Sequence, residues 1–330
     1  MTHDKRTDTA GPTLRELGEF AVIDQLVADR RYPASVVVGP GDDAAVLTAP
    51  DGRVVVSTDM LVQGRHFRFD WSAPHDVGRK AIAQNAADIE AMGARVTGFV
   101  VGVGAPTNTV ADRLTELNDG MWAEAARAGA PIIGGDLVAS PQWVVSVTVF
   151  GDLGGREPVT RGGARPGSVV AVAGDLGVSA AGYALFSADI DDFTELRNRH
   201  RAPVPPYGQG VAAAQAGATA MTDVSDGLVA DLRHIAAMSG VDIDLSASAL
   251  EPDVAAVAAA AQALGVEPRD WVLGGGEDHA LVACFPTAPP PGWRVIGAVL
   301  ETDSRRPTRV LLDGQDWSGA AGWESFGGDC

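Results

Sequence analysis

Seven aspartates in this sequence stand where a carboxylate could hold a cation: Asp42, Asp43, Asp59, Asp88, Asp136, Asp223 and Asp226. All but Asp88 are expected where a strand begins or ends, next to glycine or another small residue. Apolar runs at 44–47 and 54–56 flank Pro50-Asp51-Gly52, which predicts a β-hairpin. Its ends would set Asp42 and Asp43 beside Asp59, an unfavourable crowding unless a cation joins them. Asp88 falls inside a predicted helix at 74–92, among alanines, where aspartate is a poor helix former. Any one of these acids reads equally well as a turn residue or a helix cap, and Asp226 before Gly227 is the best capping candidate. Seven together strain that reading. Hard oxygen donors of this kind suit Mg²⁺, which keeps several waters and takes further ligands from substrate phosphates.

Glycines accompany the acids. Gly134-Gly135-Asp136 and Gly274-Gly275-Gly276 would let a phosphate or a ring approach the backbone. The chain has no Walker A pattern and no protein-kinase signature set, and Gly102-x-Gly104 lacks the third glycine of a dinucleotide fingerprint. A bound nucleotide must therefore be held by metals, backbone amides and arginines, with Arg161 as one candidate. His66, in a polar-aromatic loop after the acidic stretch, reads as a substrate contact or a surface histidine. No Gly-x-Ser-x-Gly elbow occurs and neither cysteine has a suggestive partner, so no covalent nucleophile is visible.

The elements that must position these residues follow from apolar spacing. A helix is predicted over 14–28, then the hairpin, then the helix at 74–92, with Asp76 near its start and Gly93 at its end. Strands at 97–103, 131–134 and 143–150 and a helix at 111–128 complete a first half. The glycine-rich segment 151–167 marks a boundary, giving domains 1–152 and 153–330. Beyond it the sequence predicts strands at 169–173, 220–224, 241–245, 279–285, 295–299 and 309–312. Helices are predicted at 178–186, 209–217, 227–239 and 252–264, and a basic, proline-rich loop at 197–206. Asp242 and Asp244 are expected on the polar face of their strand. A Gly-Gly-acidic turn in each half makes two related α+β halves plausible.

With 330 residues, 43 acidic and 25 basic side chains, and a net charge of −18, the chain lacks the basic surface that nucleic acid requires. Anionic small molecules remain compatible, because bound divalent ions reverse the local sign. Cys284 and Cys330 give neither a disulfide framework nor zinc spacing. The polar start, 1–12, lacks the apolar core of a signal peptide, and the alanine-rich run 254–266 is too short to span a membrane. The expected location is cytoplasmic.

Seven motifs in order carry a family resemblance: Gly41-Asp42-Asp43-Ala44-Ala45; Ser57-Thr58-Asp59 through His66-Phe67; Asn85-x-x-Asp88 to Gly93-Ala94; Gly134-Gly135-Asp136; Thr160-Arg161 to Pro166-Gly167; Asp223-Val224-Ser225-Asp226-Gly227-Leu228; and Gly275-Gly276-Glu277-Asp278. Together they resemble the thiamine-monophosphate kinase family, within the superfamily of aminoimidazole ribonucleotide synthetase. The resemblance implies an α+β, two-domain fold whose N-terminal domain pairs across a homodimer, followed by a C-terminal α/β domain. It implies ATP- and Mg²⁺-dependent phosphoryl transfer to thiamine monophosphate, the last step of thiamine diphosphate biosynthesis, with several Mg²⁺ ions and a monovalent cation as an optional further one. Carried over motif by motif, Asp43, Ser57, Thr58, Asp59, Asp88, Asp136, Asp223 and Asp226 become metal ligands, with Asp59, Asp88 and Asp136 central to catalysis. Gly135, Asp136, Arg161 and Ser225 become ATP contacts, and His66, Glu277 and Trp323 contacts to thiamine monophosphate. Neither nucleic acid nor membrane is implied as a partner. Two readings compete: another ATP-dependent synthetase or maturation enzyme of the superfamily, and a non-catalytic metal- or nucleotide-binding protein on the same scaffold. The ending Gly-Gly-Asp-Cys330 lacks the Pro-Arg-Ile that precedes the reactive cysteine of the hydrogenase-maturation relatives.

Overall fold

The computed structural model describes residues 11–28, 30–40, 44–303, 305–319 and 322; Asp42, Asp43, Trp323 and Cys330 lie outside them. The chain divides into two compact units. One comprises the described residues of Met1–Thr48, Thr58–Ile82 and Gly98–Thr148, the other those of Ala49–Ser57, Ala83–Thr97 and Val149–Cys330.

The predicted first helix is two. Thr13 and Glu16 close a capping box on α1 (Leu14–Leu17), and Gly18, at φ 78°, stops it before α2 (Glu19–Val27). Next, β1 (Val36–Val38) pairs antiparallel with β2 (Val46–Leu47), in the register Val36 to Leu47. The hairpin thus forms one strand earlier than the sequence predicts. Three consecutive valines with strong β preference capture 46–47 as their partner. Strand β3 (Val55–Val62) instead joins a four-stranded sheet with β4 (Arg95–Ala105), β5 (Ile132–Ala139) and β6 (Val144–Asp152), in the order β3-β6-β4-β5. Between these strands run α3 (Pro74–Ala91) and α4 (Ala111–Ala128). Asp76 accepts the Ala73 N–H at the start of α3, as predicted. Leu114, Leu117, Met121 and Ala125 form the buried stripe of α4.

Two strands are longer than their apolar runs. Asp59 therefore sits inside β3, and Asp136 inside β5 opposite Gly102 of the parallel strand β4, rather than at strand ends. Gly135 is required by that pairing: a Cβ there would lie 2.1 Å from the Val101 carbonyl oxygen. Its lack of a side chain serves the close approach of two strands.

The second unit is built on a seven-stranded sheet. Its strands are β7 (Val169–Ala173), β8 (Ala220–Asp223), β9 (Val241–Leu245), β10 (Leu281–Phe285), β11 (Arg294–Glu301), β12 (Val310–Leu312) and β13 (Gln315–Asp316), in the order β13-β12-β9-β11-β7-β10-β8. All neighbours are antiparallel except β12 with β9. Side chains alternate between its two faces. Val282 and Cys284 join one cluster with residues of α5 (Val178–Ser187), α8 (Leu228–Ser239), α9 (Glu251–Leu264) and α10 (Pro268–Gly274). Leu281, Ala283 and Phe285 pack on the other face with Ala91 of α3 and Ala213 of α7 (Gln209–Gln215). Burial on both faces explains the unbroken apolar run of β10. It also pushes the Cys284 thiol up to about 12, an inert core group.

Two expectations for this unit fail. The basic stretch at 197–206 begins as helix, α6 (Thr194–Arg201). Asp242 is 2% exposed rather than on a polar face, because Arg306, Thr302 and the Arg309 N–H all reach its carboxylate.

Candidate active site

In the first unit, β3 and β5 carry Thr58, Asp59, Gly135 and Asp136. The Thr58 hydroxyl donates to the Val147 carbonyl at 2.9 Å, so it braces β3 against β6. Asp136 is exposed and accepts the Leu137 N–H at 2.9 Å. The loop after β3 presents His66. Its Nδ1 accepts the Val62 N–H at 3.0 Å, so in the neutral ring the proton resides on Nε2. Lys80 of α3, only 2% exposed, donates from Nζ to the His66 carbonyl at 3.0 Å and anchors the loop from below.

In the second unit, the Ser57 hydroxyl donates to Asp88 Oδ2 at 2.6 Å, bringing together two residues 31 positions apart. Asp88 is held in place by its own helix. Glu90, one half-turn on, accepts the Gly208 and Gly210 N–H groups at 2.9 and 2.8 Å and pins the end of α3 to the start of α7. Burial raises the Glu90 pKa, against those two bonds.

The turn after β8 carries Asp223, Ser225 and Asp226. Sequence logic makes Asp226 the cap of α8, but the capping carboxylate is Asp231. Its Oδ2 accepts the N–H groups of Ser225, Asp226 and Gly227, each at 3.1 Å. A turn of helix places Asp231 back over its own N-terminus, where three amides converge. The cap position itself falls on Gly227, one residue after Asp226. Arg161 donates to Thr222 at 3.2 Å, and its charge acts on Asp226.

A second turn, 274–279, is clamped to the first. Glu277 N–H donates to the Ser225 carbonyl at 2.7 Å and His279 N–H to the Val224 carbonyl at 2.9 Å. Glu277 and His279 both adopt positive φ, 63° and 52°. Buried His279 hydrogen-bonds through Nδ1 to Asp223 Oδ2 at 3.1 Å. Burial opposes its protonation, but that bond and the charges of Asp223, Glu277 and Asp88 outweigh it and raise its pKa. One buried histidine thus contacts Asp223 and feels the charges of Glu277 and Asp88.

The carboxylates have the chemistry of a hard-cation site. Burial, then the charge of Asp223, raises the pKa of Asp226. Burial, then the charges of Asp223 and Asp226, pushes Asp231 up to about 7. Acids so crowded are relieved by a divalent ion, and every donor is oxygen, the choice of Mg²⁺. Among the described residues no three His, Cys, Asp or Glu side chains form a preassembled metal set; Asp42 and Asp43 fall outside them. Asp231, His279 and Lys80 are the residues that sequence reasoning missed. An acid within the mostly apolar run of α8 was the available signal for Asp231.

The chain matches the AIR synthase related protein N-terminal domain over residues 41–153 and the corresponding C-terminal domain over 165–282. It is 66% identical to a thiamine-monophosphate kinase of Mycobacterium tuberculosis, across 99% of this chain and 97% of that one. A thiamine-monophosphate kinase of Corynebacterium glutamicum is 43% identical, covering 96% of each chain. The solved structure of AaThiL complexed with AMPPCP and TMP is 28% identical and superposes with a TM-score of 0.73, covering 96% of this chain and 100% of the other. Among the described residues no helix is long and apolar enough to cross a membrane.

Proposed function

The chain belongs to the AIR synthase related family and, within it, to the thiamine-monophosphate kinases, and from that membership we propose that it transfers the γ-phosphoryl group of ATP to thiamine monophosphate, giving thiamine diphosphate and ADP. It is a kinase. The observation that carries the reading is the 66% identity sustained over 99% of the chain. The AaThiL structure supports it, since an ATP analogue and TMP occupy that fold together. The reaction would complete thiamine diphosphate synthesis, in the cytoplasm where ATP is available.

The acceptor is a phosphate monoester with a second pKa of about 6, largely ionised at neutral pH. It needs positioning more than a strong base. Two polyanions must be brought together, and several Mg²⁺ ions, when bound, would supply the neutralising charge. We assign their holding to Asp43, Ser57, Thr58, Asp59, Asp88, Asp136, Asp223 and Asp226. Thr58 would contribute other than as a donor, its hydroxyl proton being directed to Val147. Ser57 orients Asp88 and His279 orients Asp223. Gly135, Asp136, Arg161 and Ser225 are assigned to ATP, whose phosphates the Arg161 guanidinium suits. His66, with its proton on Nε2, is a donor for the acceptor phosphate. Glu277 is assigned to the cationic thiamine moiety, and Trp323 to stacking on its rings. A monovalent cation is compatible with so acidic a site.

We further place the domain boundary at 152/153 and propose a homodimer through the N-terminal sheet, supported by exposed Val56, Met60 and Val138 on β3 and β5. The test is direct. Protein, ATP, Mg²⁺ and thiamine monophosphate should yield thiamine diphosphate and ADP in equal amounts by chromatography. Folded protein that forms ADP without thiamine diphosphate, or neither, overturns the assignment.

A further inference from the structure

Glu277 is tightly constrained among the assigned substrate contacts that the structure describes. Its backbone is fixed in the left-handed region at φ 63° and bonded to Ser225, a conformation that a non-glycine residue keeps only when its surroundings impose it. The next residue, Asp278, is 6% exposed and accepts the Gly177 N–H at 2.5 Å and the Ser179 N–H at 2.9 Å, tying the turn to the first residues of α5. The Ser179 hydroxyl lies 3.2 Å from Nδ1 of His200 on α6. That same nitrogen lies 3.5 Å from Glu277 Oε2. The circuit closes on itself: Glu277, Asp278, Ser179, His200 and back to Glu277. The His200 ring is 8% exposed, and edge contacts with Tyr183 at 5.5 Å and a tilted contact with Phe186 at 6.0 Å fix its plane. Glu277 opens onto a recess lined by Asp175, Ser179, Arg199, Val204 and Asp278.

We propose that His200, braced by Ser179, is a positioning residue that aims the Glu277 carboxylate at the substrate. A carboxylate beside Nδ1 favours the tautomer protonated there, because an imidazole lone pair facing it would be repelled. Nδ1–H then points toward Glu277, and the Ser179 oxygen accepts the remainder of a shared bond. His200 touches no reacting atom. It selects one rotamer of a glutamate whose backbone is already fixed, and so sets affinity for the cationic acceptor while leaving ATP untouched. The inference rests on the assignment of Glu277 to thiamine monophosphate.

Three measurements test it. His200→Leu should raise the KM for thiamine monophosphate about tenfold, the loss expected for a hydrogen bond to a charged group, with the KM for ATP unchanged. His200→Asn, which keeps a polar donor at the Nδ1 position, should recover most of that loss. In ¹⁵N-histidine-labelled protein without ligands, Glu277→Gln should move the His200 Nδ1 resonance away from the protonated-nitrogen position it holds in the wild type. A folded His200→Leu enzyme with unchanged acceptor KM, an equal loss toward both substrates, or no recovery by His200→Asn would overturn the proposal. If His200→Leu does not fold, the spectrum decides, and identical His200 resonances in wild type and Glu277→Gln would overturn it. The spectral arm needs no substrate. Wild-type protein that neither binds nor converts thiamine monophosphate would defeat the functional assignment while the Glu277–His200 pairing still stood or fell on its resonance.

Discussion

Asp278 allows a quantitative test of how burial and backbone amides compete. Its carboxylate accepts two N–H groups at the start of α5, which favours the ionised form. Complete burial opposes ionisation more strongly. It is the largest influence, ahead of the Ser179 and Gly177 bonds and the charge of His279, and the carboxyl is pushed up from 3.8 to about 7. A folded-state pKa above the unfolded one means that this group's contribution to stability is fully present below about pH 4 and is lost as pH rises through 7. The rise corresponds to roughly 4 kcal/mol across that window, as an upper bound. Asp278→Asn keeps the shape and removes the titration. It also turns one amide N–H toward an NH₂ group, leaving a buried donor unmatched at about 1–3 kcal/mol. At pH 4 and below the wild type should therefore be the more stable by about 1–3 kcal/mol. By pH 8 the difference should vanish or reverse. Urea unfolding of both proteins at the two pH values gives the answer, and taking their difference cancels the other titrating acids. A difference constant with pH, or growing toward pH 8, would mean that the amides win and the carboxylate is ionised throughout.

Asp59→Asn and Asp88→Asn should each reduce turnover by orders of magnitude with far-UV circular dichroism unchanged; near-normal kcat in saturating Mg²⁺ would remove these residues from the catalytic set. Gly135→Ala forces a Cβ to within 2.1 Å of the Val101 oxygen, so β5 must shift off β4. Stability should fall by about 3 kcal/mol or more, seen as a lower urea midpoint, and an unchanged midpoint would refute the strand-packing account. Asp242→Ala strips a buried carboxylate from the partly exposed Arg306 and Arg309 and from Thr302 and should cost about 1–3 kcal/mol. The substrate KM values of the folded fraction should not change; a selective loss of ATP or acceptor affinity would show that this network reaches the site.

Elements with strong periodicity and a clear stop were legible from sequence. The helix predicted at 111–128 is α4 to the residue, ended by Gly129 in the left-handed region, and the strand at 169–173 is β7. The hairpin was not legible, since choosing between Val36–Val38 and Val55–Val62 as partner for Val46–Leu47 depends on a four-stranded sheet that no local pattern encodes. The burial of Asp242 depends on arginines more than 60 positions away. Candidate residues stood out only by type, as an aspartate within an alanine-rich helix is locally costly; one contact between two of them, Asp88 with Ser57, is present in the fold. What holds them was not legible. Asp231 stabilises the Asp226 turn, and His279 and His200 orient Asp223 and Glu277, through contacts that only the tertiary fold creates.

The supporting layer explains how acids can be gathered before any cation arrives. The turns at 223–227 and 275–279 both bear carboxylates, and their charges alone would drive them apart. Three backbone bonds hold them instead: Glu277 to Ser225, His279 to Val224, and the Val224 N–H to the Ala280 carbonyl. The left-handed backbones of Glu277 and His279 cost about 1–2 kcal/mol each, which those bonds can sustain. His279 lends Asp223 a hydrogen-bond partner, and Asp231 accepts the N–H groups of Ser225, Asp226 and Gly227. The second-unit acids are thus fixed by their neighbours rather than by a ligand. On the proposed reading, a cation bound there would not have to order the chain, and its binding energy would remain available for drawing phosphate groups into place.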